Sequence, residues 1–397
     1  MKKFFTYISF NGLSLGISSL SIPILTAILS PVEYARIGLF LSAVALVTPM
    51  ISMGIETLLQ IKINKLNIVE FQIYRAKAVS VSVIVFLFFQ LSVFVVFYLD
   101  DVDNIYILVP IFCFFKILRM AGAGELVILE KPFQFGISNS LAYIISFLFS
   151  VVLLNYLPDA LWRVFSLITA EVIILGIFFR VYFGLSLVLP EKKFVIQLLK
   201  FGGPLVCLAV PAWVVNEYGK LYVQESISLE SVGVFTVGLQ IALVFNQFTS
   251  ALLNTILPKI MKNIKVIFNV KYFLLFLFGL IFSTAVFYFC VLFIGPVIVD
   301  VRYNEIYTFI GYLIVGVLFQ SMGSIASNYA NFYGLTYYRF LALCLGALIN
   351  MAILIFGHSS SLQDVSLAFM LSMAMYSFSL YLLTYQHYWR QLEKKNH

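Results

Sequence analysis

The sequence predicts an all-α polytopic membrane protein, about twelve transmembrane helices in two six-helix lobes. Three observations carry this: an apolar composition, a series of long hydrophobic runs, and a charge bias between alternating connections. Of 397 residues, 62% are hydrophobic and 11% charged, against roughly 45–50% and about 25% in soluble domains. Mean hydropathy is +1.02. A globule has too little interior to hide that much apolar surface, so lipid is the solvent for most of it. A span needs about 20 apolar residues, and twelve spans with their connections consume the chain. A soluble enzyme is excluded, as is a large extramembrane catalytic module.

Apolar runs bounded by charge place helices near 4–29, 34–60, 78–99, 105–129, 136–157, 161–183, 201–223, 231–257, 272–295, 306–332, 340–357 and 365–386. Lys2 and Lys3 before the first run resemble a signal-peptide start. The run is too long for an h-region and has no A-x-A site, so it is expected as a retained helix. With an internal N-terminus, most of the 25 Lys and Arg residues fall in the cytoplasmic connections, while the opposite side holds only Arg36, Arg163, Lys220 and Arg302. The positive-inside rule then puts both termini in the cytoplasm and supports an even number of spans. The net charge of +7 comes from short loops and not from one basic patch, which argues against nucleic acid as a partner. Cys113, Cys207, Cys290 and Cys344 lie in apolar runs without CxxC spacing, and the histidines are His358, His387 and His397. No metal site assembles from sequence neighbours. No Walker or Gly-rich phosphate loop is present, which argues against ATP hydrolysis.

The chain divides into a first lobe, 1–189, a cytoplasmic linker, 190–200, a second lobe, 201–386, and a cytoplasmic tail, 387–397. SPVEYARIGLF, Ser30 to Phe40, enters the second helix, and SLESVGVFTVG, Ser228 to Gly238, enters the eighth. Such a repeat in one orientation implies a pseudo-twofold along the membrane normal with a cavity between the halves. Chance similarity among apolar segments is the alternative.

At these segments the sequence resembles the bacterial O-antigen and polysaccharide flippases (Wzx-type) of the multidrug/oligosaccharidyl-lipid/polysaccharide exporter superfamily. The resemblance rests on LSPVEYARIGLFLS, Leu29 to Ser42, and LLKFGGPLV, Leu198 to Val206. AWVVNEYGKLYV, Ala212 to Val223, and SVGVFTVGLQIA, Ser231 to Ala242, complete it. It implies a V-shaped, MATE-like transporter of the bacterial inner membrane. Such a transporter moves an undecaprenyl-pyrophosphate-linked oligosaccharide, an O-antigen or similar repeat unit, from the cytoplasmic to the periplasmic leaflet by alternating access. It is not an enzyme and needs no cofactor beyond a coupling H⁺ or Na⁺. Its partners are membrane lipids, a polysaccharide polymerase and chain-length machinery. One departure stands out: similar proteins often carry an acidic residue directly before the cation near the end of the seventh helix, where this chain has Gly219 before Lys220.

A flippase needs a polar route for pyrophosphate and sugar. Lys116 and Arg119 share a face of the fourth predicted span, where a lipid-facing charge is expensive. Arg offers a bidentate fork and Lys a point charge, which together suit a pyrophosphate. The alternative for them is a structural ion pair with Glu171, mid-span in the sixth. Further substrate candidates are Arg36, Lys220, Asn11, Gln247, Gln320 and Asn331. The last four belong to polar stripes at helical spacing that serve cavity lining or interhelical packing. Intramembrane carboxylates are functional hypotheses by default, so Glu171, Glu217 and Glu56 are the ion-coupling candidates. Glu217 is expected to pair with Lys220, and Glu56 and Glu125 to lie near cytoplasmic helix ends, as gates or as snorkelling groups. Pro23, Gly202, Gly203, Pro204 and Pro211 are candidate bending points. Two rivals remain. A drug/ion antiporter of the same architecture favours an acidic cavity, and a membrane O-antigen polymerase favours a long outside loop, which the short connections here do not provide.

Overall fold

The structure, a computed structural model, describes residues 2–63, 65–99, 103–178, 188–262, 270–357 and 359–396. Among the described residues regular structure is helical throughout, as the composition requires. In order the helices are α1 (Lys2–Ile28), α2 (Pro31–Ser52), α3 (Ile55–Lys62), α4 (Ile68–Leu99), α5 (Leu108–Ile128), α6 (Pro132–Tyr156) and α7 (Ala160–Ile177). There follow α8 (Lys192–Ser226), α9 (Leu229–Lys262), α10 (Val270–Ile298), α11 (Ile306–Phe332), α12 (Thr336–Phe356) and α13 (Leu362–Asn396). Eleven helices among the described residues are long and apolar enough to cross a membrane, and α1 adds a shorter apolar stretch, Gly12–Ile28. The protein is a multi-pass membrane protein.

The run expected as one helix over 34–60 is broken. Met53 (φ 45°) and Gly54 (φ 72°) are left-handed, a conformation glycine adopts without a Cβ penalty. The Ser52 hydroxyl accepts the Gly54 N–H at 3.2 Å. Other boundaries move outward. Helix α4 starts at Ile68 and not near 78, and its 32 residues span about 48 Å against a hydrocarbon core of about 30 Å. Its first turns therefore tolerate Glu70, Arg75 and Lys77. Likewise Lys192 opens α8 inside the stretch read as a linker. Helix α8 continues through Gly202, Gly203, Pro204 and Pro211, and α1 continues through Pro23.

The chain forms two compact units: Met1–Leu29 with Arg36–Val210, and Ser30–Ala35 with Pro211–His397. In the first, α5 packs on α3, α4 and α7, and α6 lies against α1 and α7. Phe194 and Leu198 of α8 bury themselves with Leu58, Leu59 and Phe71 of α3 and α4. At Gly202 the α8 backbone approaches so closely that a Cβ would stand 2.1 Å from the Met53 carbonyl oxygen. Helix α6 buries a small-residue stripe that includes Gly136, Ser138, Ser140, Ser146 and Ser150. Small residues let membrane helices approach, and their hydroxyls join them: Ser140 donates to the Phe10 carbonyl at 3.2 Å, and Ser150 meets Ser166 at 2.5 Å.

In the second unit α11 packs against α9, α10 and α13, and α12 against α13. The two repeated segments now have a shared physical role. The Ser30 hydroxyl accepts the Glu33 N–H at 3.3 Å and the Ser228 hydroxyl accepts the Ser231 N–H at 3.1 Å. Both serines cap a helix with an acid in its first turn, Glu33 and Glu230, which suits the positive end of the dipole. Tyr34 donates to Gln240 Oε1 at 2.6 Å and meets Tyr303 edge-on at 5.9 Å.

Candidate functional site

Polar groups buried in the first unit centre on α5. Arg119 donates Nε to Glu171 Oε2 at 2.5 Å and Nη2 to Glu171 Oε1 at 3.1 Å. Its third nitrogen, Nη1, donates to Asn139 Oδ1 at 2.6 Å. The two charged side chains are only 12% and 8% exposed, so the fork is locked between α5, α6 and α7. This is the ion pair that the sequence offered as the alternative for Arg119. Asn139 escaped the sequence reading. Its signal is a lone amide between two serines in an otherwise apolar run.

Lys116 lies one turn before Arg119 and is held differently. Its Nζ sits over the Phe112 ring, 5.8 Å from the centroid. Glu56 and Glu171 both act on it electrostatically, yet among the described residues no carboxylate lies within ion-pairing distance of Nζ. Glu56 stands half-buried in the first turn of α3, the helix that the break at Gly54 redirects against α5. The same unit therefore holds a saturated cation, Arg119, and beside it a cation with an aromatic face and no carboxylate partner.

Towards the far end of α5, Glu125 does not snorkel. It is 5% exposed, and Arg75 Nη1 of α4 donates to its Oε2 at 3.0 Å. At the opposite end of the unit, Arg36 Nε and Nη2 donate to Asp103 Oδ2 and Oδ1 at 2.7 and 2.8 Å, with Asp159 at 3.7 Å. Asp103 and Asp159 also cap the helical turns that follow them. The Arg36 hydrogen bonds hold the Asp103 carboxyl below the usual carboxylate range, against the opposing effect of its partial burial.

The second unit holds the expected pair: Lys220 Nζ donates to Glu217 Oε2 at 2.6 Å, with Lys220 buried. Gln320 reaches Asn216 Oδ1 at a long 3.5 Å. Asn331 is exposed and accepts from Arg339 Nη1 at 2.8 Å, and Gln247 is exposed. The side chain of Asn11 lies outside the described residues, as do those of Ser250 and Asn254, which follow Gln247 at helical spacing on α9. In the α1 stripe, Ser14 meets Ser140 of α6 at 3.2 Å, which is interhelical packing.

Long apolar helices with guanidinium–carboxylate pairs buried among them define a multi-pass membrane protein with charges held inside its helical bundle. The chain belongs to the family described as polysaccharide biosynthesis protein, whose profile matches residues 1–264. No curated protein sequence matches it. Among solved structures, the lipid II flippase MurJ in an inward closed conformation is similar, with a TM-score of 0.73 and 15% identity over 94% of this chain and 87% of that one. An inward-facing multidrug resistance MATE family transporter of the MOP superfamily gives 0.68 and 11% over 97% and 98%. A MOP superfamily transporter from Pyrococcus furiosus, whose binding pocket has reverse polarity, gives 0.57 and 11% over 97% and 95%. At these identities the likeness is one of fold.

Proposed function

We propose that this protein flips an undecaprenyl-pyrophosphate-linked oligosaccharide, a polysaccharide repeat unit, from the cytoplasmic to the periplasmic leaflet of a bacterial inner membrane by alternating access, driven by an ion gradient. The observation that carries the reading is membership of the polysaccharide biosynthesis family. Lys116 supports it, being a mid-helix cation without a carboxylate partner among the described residues, in a fold shared with a lipid II flippase. A charge so placed is expensive unless it serves a ligand or a polar route, and it offers a pyrophosphate a point charge. Arg119 shares the face, but its donors are taken by Glu171 and Asn139, so Lys116 is the group that meets the anion first. The bias of Lys and Arg towards one set of connections supports cytoplasmic termini. The flipped unit is the material that a polymerase and its chain-length machinery would consume outside.

The test is the sidedness of the lipid-linked oligosaccharide in cells lacking the protein, read with a probe confined to the outer leaflet. Single units held on the cytoplasmic side are expected. Single units outside that fail to grow into chains would transfer the role to a polymerase. Unchanged sidedness would leave a drug/ion antiporter, the reading that the fold likeness to a MATE transporter favours.

A further inference from the structure

The coupling candidates read from sequence are largely occupied. Both oxygens of Glu171 accept from Arg119, and Glu217 is tied to Lys220. Glu125 differs. Its Oε2 accepts from Arg75 at 3.0 Å, but its Oε1 is buried with no hydrogen-bond partner. Ser82 Oγ of α4 is also buried without a partner. Both residues line one small cavity between α3, α4 and α5, walled otherwise by Ile55, Leu59, Val79, Ile117 and their neighbours. Its volume is about 10 Å³, room for about one water.

A buried carboxylate oxygen without a partner is costly, because it has given up water's hydrogen bonds and gained none in return. Both unpartnered atoms belong to residues that line one cavity, so one shared hydrogen bond, direct or through a water, would satisfy the two together. Arg75 is the one other titratable group lining the cavity among the described residues. Helices α3 and α5 contribute apolar side chains and the Gly122 backbone, besides Glu125 itself.

We propose that Glu125, Ser82 and Arg75 form a proton-binding site, with Glu125 Oε1 as the atom protonated. A hydronium gives its proton to the Oε1 lone pair and leaves as water. The neutral carboxyl then donates to Ser82 Oγ, directly or through the single water, and both orphans are satisfied. The pair with Arg75 passes from net neutral to net positive, which loosens the α4–α5 tie and frees a guanidinium. In the deprotonated form the Arg75 bond returns. This deepens the ion coupling of the proposed function: it names the ion as H⁺ and the carrier as Glu125 in place of Glu171, Glu217 or Glu56.

The test reads the site without transport. Infrared difference spectra of the purified full chain in lipid are taken while pH is lowered, following the C=O stretch of a protonated carboxyl. A band is expected in the wild type and in Glu171→Gln and to be lost in Glu125→Gln. A band that persists unchanged in Glu125→Gln, or that is lost in Glu171→Gln alone, overturns the proposal. Ser82→Ala covers the case in which Glu125→Gln does not fold. It keeps the Arg75 pair and is expected to shift both the frequency and the midpoint of the band, and an unshifted band overturns the proposal. Failure of the flippase reading in the sidedness experiment leaves these spectra unaltered, so the two failures are distinct.

Discussion

Replacing Glu171 by Ala strips Arg119 of both its hydrogen bonds to that carboxylate while leaving the guanidinium 12% exposed among α5, α6 and α7. Removing one partner of a buried ion pair costs about 3–5 kcal/mol, because the charge left behind is neither solvated nor paired. The Asn139 bond survives, and a hydrogen bond to a charged group contributes about 1.5–3 kcal/mol, so the loss should fall near the lower end, about 3 kcal/mol. The double variant Arg119→Met, Glu171→Leu removes both charges. It should lie within about 1 kcal/mol of the wild type or exceed it, since apolar replacement of a buried pair is often neutral or stabilising. The assay is unfolding in mixed micelles followed by tryptophan emission, run as a double-mutant cycle. Additive losses in the double variant, or a Glu171→Ala loss below about 1 kcal/mol, would refute the locked fork.

Lys116→Gln should lower flipping about tenfold to a hundredfold, the effect of losing one charge-assisted contact of about 1.5–3 kcal/mol, measured as the rate at which lipid-linked units reach an outer-leaflet probe. Lys116→Arg should retain more of that rate. Acidification should weaken the Arg36–Asp103 tie. Asp103 titrates below its unfolded value of about 3.9 when folded, so its contribution is complete at neutral pH and disappears as pH falls through the lower, folded value. Thermal scans below about pH 4 should show an acid-induced drop that Asp103→Asn lacks. At Gly202 a Cβ would meet the Met53 carbonyl oxygen at 2.1 Å, while at Gly203 nothing lies within 4 Å. Gly202→Ala should therefore lose about 1–3 kcal/mol, and Gly203→Ala should be neutral or gain up to about 1 kcal/mol, a contrast that melting of the two variants decides.

Helix type and approximate number were legible because apolar runs of span length leave the backbone only one way to satisfy itself in lipid. The boundaries were less so. Charges at Arg75, Lys77, Lys192 and Lys193 end an apolar run but not a helix, so α4 and α8 begin earlier than hydropathy indicates. The break at Met53–Gly54 depends on backbone sign, which periodicity does not encode. Within the site, Arg119 and Glu171 were legible as partners because each is a mid-span charge needing an opposite. Asn139 was not, since a single amide carries no spacing signal. Nor was the Arg75–Glu125 pair, because both residues lie near the ends of apolar runs, where snorkelling is the ordinary expectation.

The Arg119–Glu171 pair also bears on how the chain enters the membrane during synthesis. Its partners are 52 residues apart, with α6 between them. At about 5–20 residues per second, Glu171 is made about 3–10 s after Arg119. An isolated arginine or acid at a helix centre costs about 2.5–3.5 kcal/mol on the insertion scale. During that interval α5 is a poor candidate for release alone into lipid. The three helices are best delivered as one packet, with α5 retained beside the insertion channel until α7 emerges and supplies the counter-charge.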